Sequence, residues 1–556
     1  MEEIRSLVAS LVKDLYGVET EIKLTRTEEQ FGDYATNVAL QLANRLNKNS
    51  REIAEEIAGK LHHASIAKAE VAGPGFINIT LSDKTLLSQA TLTPLTILVG
   101  NKILVEYSDP NPFKPLHAGH LYTTLVGDMI ARLVSNAGAE TIRINYGGDV
   151  GLHVGKSMWA IIKHLEGENP DKLSEINEAE RPNWLGQRYI EGNNAYEEDE
   201  TSKPEIISTN KRVYELHASS DHESQFAQIY WACRKWSYDY FAQLYEQLGV
   251  VPFDRFIPES EVTALGVATV QEQLAKGVFE RSDGAVIFDG EKHSLHKRVF
   301  INSEGLPTYE TKDIGLSLRK WQDYQFDRSI IITASEQGQY MQVVLKSLEQ
   351  IAPELVRRTT HLTHGVVKLQ GGVKMSSRLG NIVTAQEIIE AAREAGKATG
   401  TNPNEQTILA AIKYAFARNR IGGDIVYNPV ESIALEGNSG PYLQYAHARA
   451  RSILHKTQNT MEDRGSKTEE LEKEERTLLR KIGEASDVIA QATDELMPHY
   501  ICTYLYELAQ TFNRFYENNR VIGDEREVLR LELVKNYADT LQHGLGLLGI
   551  HAPDKM

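Results

Sequence analysis

The stretch Ile103-Leu104-Val105-Glu106-Tyr107-Ser108-Asp109-Pro110-Asn111-Pro112-Phe113-Lys114-Pro115-Leu116-His117-Ala118-Gly119-His120 decides how the chain reads. Its first five residues form a run of buried-strand type, a Pro-rich loop follows, and helical spacing sets in from about Leu121 to Asn136. This is a strand-loop-helix opening of an α/β domain. The His117-Ala118-Gly119-His120 motif sits where loop becomes helix, and free N–H groups and the positive dipole end favour an anion there. Two imidazoles one turn apart add donors for phosphate oxygens, and Gly119 lets a nucleotide approach the backbone. The plainer alternative is that these histidines cap the helix.

A second loop lies far downstream: Lys368-Leu369-Gln370-Gly371-Gly372, then Lys374-Met375-Ser376-Ser377-Arg378-Leu379-Gly380-Asn381. Alone it reads as a solvated turn. Paired with the first, its glycines, two hydroxyls, Lys374 and Arg378 suit a segment that closes over a triphosphate and stabilises charge as pyrophosphate departs.

Outward from these loops, 556 residues predict about three or four domains. The composition, 41% hydrophobic and 25% charged, is that of a chain folded throughout. A formal charge of −17 disfavours general DNA coating and confines any nucleic-acid site to a local basic surface. Cys233 and Cys502 are the only cysteines, so neither a disulfide framework nor a cysteine zinc site is expected, and the metal-ligand set from side chains is none. No secretion signal or apolar membrane span is read, and a reducing cytoplasm fits best.

Residues 1 to about 95 read as a small α+β unit, with helical spacing at Ile4 to Val12, Thr36 to Leu46 and Ile53 to Leu61, then turn and strand at Gly73 to Ile79. The α/β domain runs from about 100 to about 425. A polar insertion at about 165 to 225 is packed down by the aromatic run Tyr230 to Tyr245, so the whole interruption spans about 160 to 260. Ala285 to Phe288 and Ser329 to Ile332 are expected to return the chain to a sheet, with Asp313 to Trp321 helical between them. From about 430 to 556 long amphipathic helices predict a bundle. Gly544-Leu545-Gly546-Leu547-Leu548-Gly549 matches a dinucleotide fingerprint but sits at a helix end with seven residues left, and Val150 occupies a position that a phosphate loop ending in Gly155-Lys156-Ser157 needs as Gly.

Together, the two loops resemble the signatures of class I aminoacyl-tRNA synthetases, His-x-Gly-His and Lys-Met-Ser-Lys-Ser. The run 106–120, the segment Tyr309-Glu310-Thr311-Lys312-Asp313-Ile314-Gly315 and the segment 436–447 resemble the arginyl-tRNA synthetase family, and the likeness extends from residue 1 to Met556. It implies a Rossmann-type parallel-sheet catalytic domain with an insertion, a small N-terminal α+β domain that touches the outer corner of tRNA, and an all-helical anticodon-binding bundle. The implied reaction joins L-arginine to tRNA(Arg) through an adenylate, with ATP as substrate and Mg²⁺ bridging phosphate oxygens, and the family habit is a monomer.

A guanidinium is read best by planar carboxylates, which singles out Asp313 and Glu106. By resemblance, Asn111 and His120 meet the backbone end of arginine, Tyr309, Asp313 and Gln337 surround its side chain, and Glu106, Asp109 and Pro110 border the same pocket. His117, Gly119, His120, Lys374, Met375, Ser376, Ser377 and Arg378 are assigned to ATP. The late loop has Ser377 where the family signature has lysine, and Lys114 or Arg378 is the candidate replacement. Tyr445, Arg449, Arg451, Arg514, Tyr516 and Arg520 combine aromatic faces with guanidinium groups suited to splayed bases, with Met556 also placed beside tRNA; ordinary core packing is the other reading of Tyr445 and Tyr516. A nucleotidylyltransferase, a non-catalytic tRNA-binding paralogue and a class I synthetase of other specificity are the competing readings. The first is disfavoured by length, the second by the intact His117, His120, Asp313 and Lys374.

Overall fold

Alternation of short apolar runs with amphipathic helices produces a five-stranded parallel sheet at the centre of the molecule, in the spatial order 359–364, 328–334, 102–106, 140–147, 255–258. The computed structural model describes residues 2–370, 383–400, 403–457 and 470–556. Strand Lys102–Glu106 lies in the middle, and chain order reverses between it and strand Arg328–Ala334. At such a switch point loops diverge to opposite faces and leave a crevice at the carboxyl ends of the strands. The helix expected from about 121 instead begins at Ala118 and runs to Asn136, so Gly119 and His120 lie in its first turn.

Ala285–Phe288 does not join this sheet, because it pairs antiparallel with Glu280–Ser282 and Arg298–Ile301 in a separate three-stranded sheet. This small sheet leads into helix Tyr309–Tyr324, longer at both ends than its apolar spacing predicted. Helix Glu259–Ala275 packs so closely on it that a Cβ on Gly266 would fall 2.1 Å from the Thr311 carbonyl oxygen. The insertion is helical, with segments Arg181–Glu198, Ser202–Ser219 and Gln225–Leu248, and the last buries Phe226, Tyr230, Phe241 and Tyr245 as the aromatic run implied.

The N-terminal unit carries a four-stranded antiparallel sheet and three main helices, Glu2–Tyr16, Val38–Leu46 and Ser50–Lys60. Thr36 belongs to a strand, not to the helix that follows, and strand Ile66–Ala72 was not foreseen. Ion pairs dock this unit on the C-terminal bundle: Arg26 meets Asp487 at 2.7 Å, and Arg476 reaches Asp33 at 2.7 Å and also Asp83.

The bundle comprises helices Gly440–Thr457, Lys473–Gly483, Ala485–Asp494, His499–Asn518 and Glu527–Leu547, with no strand among its described residues. Its core is continuous with that of the catalytic unit through helix Ala118–Asn136. The glycine-rich end serves packing, since a Cβ on Gly544 would lie 2.5 Å from Leu505 and Gly549 takes φ +64 just past the helix. Gly151 is the N-cap of helix Leu152–His164 at φ +115, a backbone conformation that favours glycine. No described helix is long and apolar enough to cross a membrane.

Candidate active site

The Pro-rich loop after strand Lys102–Glu106 cannot continue the strand, and it turns through three left-handed residues, Ser108, Asp109 and Phe113. Each is held from elsewhere. Ser108 Oγ meets Tyr245 Oη at 2.7 Å, Asp109 accepts from the Tyr146 amide at 2.8 Å, and the Phe113 amide donates to Ser237 Oγ at 2.8 Å. The insertion's long helix thus supplies two of the three restraints.

Beyond the loop, His117 is the N-cap of helix Ala118–Asn136. Its Nδ1 accepts from the amides of Gly119, at 3.1 Å, and His120, at 3.3 Å, while the His117 amide donates to His120 Nδ1 at 3.5 Å. Capping and phosphate binding are therefore compatible. Nδ1 acting as acceptor leaves the proton of a neutral imidazole on Nε2, which becomes a donor available to a ligand. Burial holds both rings neutral, with His117 lowered to about 4 and His120 pushed well down, and Lys114 and His364 act in the same direction on both. Gly119 has a plain steric reason, since a Cβ there would sit 2.9 Å from His117 Cε1.

Between this helix start and helix Tyr309–Tyr324 lies a cavity of about 320 Å³. Glu106, Asp109, Asn111, His120, Tyr309, Asp313 and Gln337 all line it, whereas Pro110 does not. Glu259, Tyr340, Tyr146 and Thr333 share the lining and were not singled out from sequence. Four carboxyl groups face this space. Glu106 is paired with buried Lys320, and Glu259 with buried Lys312, so lysine ammonium groups offset two of them. Asp313 has no such ion-pair partner among the described residues; it accepts a hydrogen bond from the Tyr340 hydroxyl.

Burial raises the Asp313 carboxyl to about 8, against the Tyr340 hydrogen bond, with Glu106 and Glu259 adding repulsion. Burial also raises Glu259 to about 7 despite Lys312, and its charge in turn keeps the Lys312 ammonium above its ordinary range. Asp109 is raised strongly by burial and by Glu106. A cavity holding more acid than base, with charge suppressed by burial, is poised to take a cation, because a bound cation restores the ionised carboxylates. Tyr309 is 47% exposed at the rim, its Oη is 3.0 Å from His153 Nδ1, and Gln337 is exposed after strand Arg328–Ala334. A smaller space of about 70 Å³ at the switch point is bordered by His117, Gly119, His120, Thr333, Ala334, Glu336 and Gln337.

Lys374, Met375, Ser376, Ser377 and Arg378 lie outside the described residues. The chain that resumes after them is bound to the first motif: the Ala118 amide donates to the Val383 carbonyl at 2.7 Å, and the Ala385 amide to the Leu116 carbonyl at 2.9 Å. Lys114 stands beside His117 with its Nζ 5.0 Å from the centre of the Tyr189 ring. No group of three or more metal-ligating side chains occurs among the described residues.

In the bundle, Tyr445 is 48% exposed and so is no core residue. Tyr516 lies between Phe512, at 6.2 Å between ring centres, and the Arg449 guanidinium, 4.7 Å from its own centre. Arg520 is exposed, Arg514 donates to Thr511, Arg451 is paired with Asp539, and Met556 is 53% exposed.

Three family models match consecutive parts of the chain: the arginyl tRNA synthetase N-terminal domain at residues 2–81, the tRNA synthetases class I (R) catalytic domain at 83–431, and the DALR anticodon-binding domain at 443–556. Arginine–tRNA ligase of Bdellovibrio bacteriovorus is 30% identical, covering 100% of this chain and 99% of that protein. That of Porphyromonas gingivalis is 29% identical over 100% of both. Among solved structures, arginyl-tRNA synthetase of Thermus thermophilus superposes with a TM-score of 0.79 at 24% identity over 100% of both chains, a likeness of fold. The Plasmodium falciparum enzyme gives 0.78 at 21%, over 100% of this chain and 99% of that one.

Proposed function

The chain belongs to the arginyl-tRNA synthetase family, and on that premise we propose how its cavity and loops divide the work of charging tRNA. The protein ligates L-arginine to tRNA in two steps: ATP-dependent formation of arginyl-adenylate with release of pyrophosphate, then transfer to the 2′-hydroxyl of the terminal adenosine. The observation that carries the arginine reading is Asp313, a buried carboxyl that pairs with no lysine among the described residues, on the wall of an acidic cavity whose Glu106 and Glu259 are each paired with one.

In this reading Asp313 binds the guanidinium, with Tyr340 orienting the carboxylate. Glu259 adds negative potential, and Tyr309 and Gln337 close the rim. Glu106 shapes the cavity through its pair with Lys320. Asn111 and His120 hold the α-amino and carboxylate end at the mouth, and Asp109 and Pro110 set the loop that presents Asn111. The arginine carboxylate then attacks the α-phosphorus of ATP in line as pyrophosphate leaves, so positioning and charge neutralisation carry the catalysis.

The neutral imidazoles of His117 and His120 donate through Nε2 to phosphate oxygens, and Gly119 leaves room for the purine. Lys114 supplies the ammonium that Ser377 does not, with Lys374 and Arg378 as further cations and Met375, Ser376 and Ser377 completing the late loop. Mg²⁺, carried with ATP and coordinated by phosphate oxygens, offsets charge on the leaving group. Tyr445, Arg449, Tyr516, Arg520 and Met556 form the tRNA surface of the bundle, and the N-terminal unit meets the outer corner of tRNA. We take residues 1–95, 100–425 and 430–556 as the working domains of a cytoplasmic monomer.

Pyrophosphate exchange measured with each amino acid, with and without tRNA(Arg), tests the assignment. Exchange confined to arginine is the expected result, and exchange with glutamine or cysteine instead would overturn it.

A further inference from the structure

Helix Arg181–Glu198 of the insertion lays two tyrosines seven residues apart, hence on one face, against two lysines of the catalytic unit. Tyr196 covers the Lys156 ammonium at 4.3 Å, and Tyr189 covers that of Lys114 at 5.0 Å. The two lysines differ in what else they meet. Lys156 also contacts Asn193 at 2.9 Å and the Glu197 carboxylate at 3.2 Å, so its charge is matched within the protein. Lys114 has no carboxylate ion-pair partner among the described residues; its nearest acidic influence is Glu336, and burial moves it below the ordinary lysine range. An ammonium held only by an aromatic face keeps its charge available for a ligand anion.

The helix that carries Tyr189 has little freedom to shift. A Cβ on Gly192, three residues on, would fall 2.0 Å from the Lys156 carbonyl oxygen, so this helix rests directly on helix Leu152–His164. Tyr189, Lys114 and His117 share the wall of one small cavity of about 150 Å³.

We propose that Tyr189 is a positioning residue for ATP: its ring face fixes the Lys114 ammonium beside His117, so the insertion supplies part of the phosphate site. The inference rests on the assignment of Lys114 to the phosphates. It gives the inserted helix a role in amino-acid activation in place of that of a spacer. Tyr189 itself touches no reacting atom.

The test is pyrophosphate exchange with tRNA(Arg) present, comparing wild type, Tyr189→Leu, Tyr189→Phe, Lys114→Met and the Tyr189→Leu/Lys114→Met pair. Tyr189→Leu is expected to raise the KM for ATP by roughly tenfold with the KM for arginine unmoved, and Tyr189→Phe, which keeps the ring face, to stay within about twofold of wild type. The double variant should be no worse than Lys114→Met alone. Wild-type exchange by Lys114→Met would refute the Lys114 assignment and this inference with it. An impaired Lys114→Met beside an unaffected Tyr189→Leu, a Tyr189→Phe as poor as Tyr189→Leu, or multiplying effects in the double variant would overturn the Tyr189 role alone. Should Tyr189→Leu fail to fold, phenylalanines of increasing fluorination at position 189 weaken the ring quadrupole at nearly constant shape. A stepwise rise in ATP KM supports the role and a flat series refutes it.

Discussion

On the proposed assignment of Asp313 to the guanidinium, arginine binding should release a proton and strengthen with pH, because burial holds that carboxyl protonated. Asp313 stands at about 8 in the free protein. A guanidinium about 4 Å away contributes roughly 4 kcal/mol at an effective dielectric of 20, enough to lower that value by about 3 units. Between about pH 5 and pH 8 the free protein therefore holds a proton that the complex does not. Each unit below 8 costs about 1.4 kcal/mol, so affinity should rise about tenfold per unit from pH 6 and flatten above 8. Glu259, at about 7, adds to the same trend, whereas His117, at about 4, and His120 below the usual range are neutral throughout. Calorimetric titration with arginine at pH 7, in buffers of different ionisation enthalpy, should report about one proton released from Asp313 and up to about half a proton more from Glu259. Asp313→Asn should abolish most of that release and weaken binding by about a hundredfold or more. The sign for stability is opposite: a carboxyl whose folded value is raised loses stabilisation as pH climbs from about 4 to 8. Asp313→Asn should accordingly raise Tm more at pH 8 than at pH 5. An affinity flat from pH 6 to 8, or proton uptake on binding, would refute this account.

Lys114→Ala should depress pyrophosphate exchange by about a hundredfold, and a near-wild-type rate would remove that ammonium from the phosphate site. Gly119→Ala places a Cβ 2.9 Å from the His117 ring; the imidazole must tilt off its cap, so the KM for ATP should rise at least about tenfold while Tm falls only a few degrees. Arg476→Ala removes a partner from Asp33, which is 1% exposed, and should lower unfolding free energy in urea by about 1 to 3 kcal/mol; no change would show that Arg480 suffices to hold that carboxylate. Tyr445→Ala should raise the KM for tRNA about tenfold with Tm unaltered, as loss of one stacked base predicts, and an unchanged KM would mark the exposed ring as unused.

How much of this was legible in advance depended on whether a signal is local. The strand at 103–107, the turn and the helix carrying the His-x-Gly-His motif are written in consecutive residues, since apolar period and Pro or Gly punctuation act over a few positions. The same holds for the rejected glycine fingerprints, one ruled out by its place at a helix end and the other by Val150, and for the helical C-terminal bundle. Asp313 and Tyr309 were legible by resemblance because they sit one turn apart in a recognisable segment. Glu259 and Tyr340 were not, because a carboxylate destined for burial looks like a surface charge until its partner is known. Lys312 lies 53 positions from Glu259, and Lys320 lies 214 from Glu106.

The residues alone determined which pieces form and which of them hold the functional groups proposed for phosphate and guanidinium, because backbone propensity and functional-group type are properties of short segments. Only tertiary structure decided that Ala285–Phe288 leaves the central sheet, that His117 caps its helix through Nδ1 and so keeps Nε2 as its donor, and that Asp313 has no ion-pair partner among the described residues while Glu106 and Glu259 are paired. Those outcomes turn on desolvation and on pairing across long separations, and both come into being when the chain closes on itself.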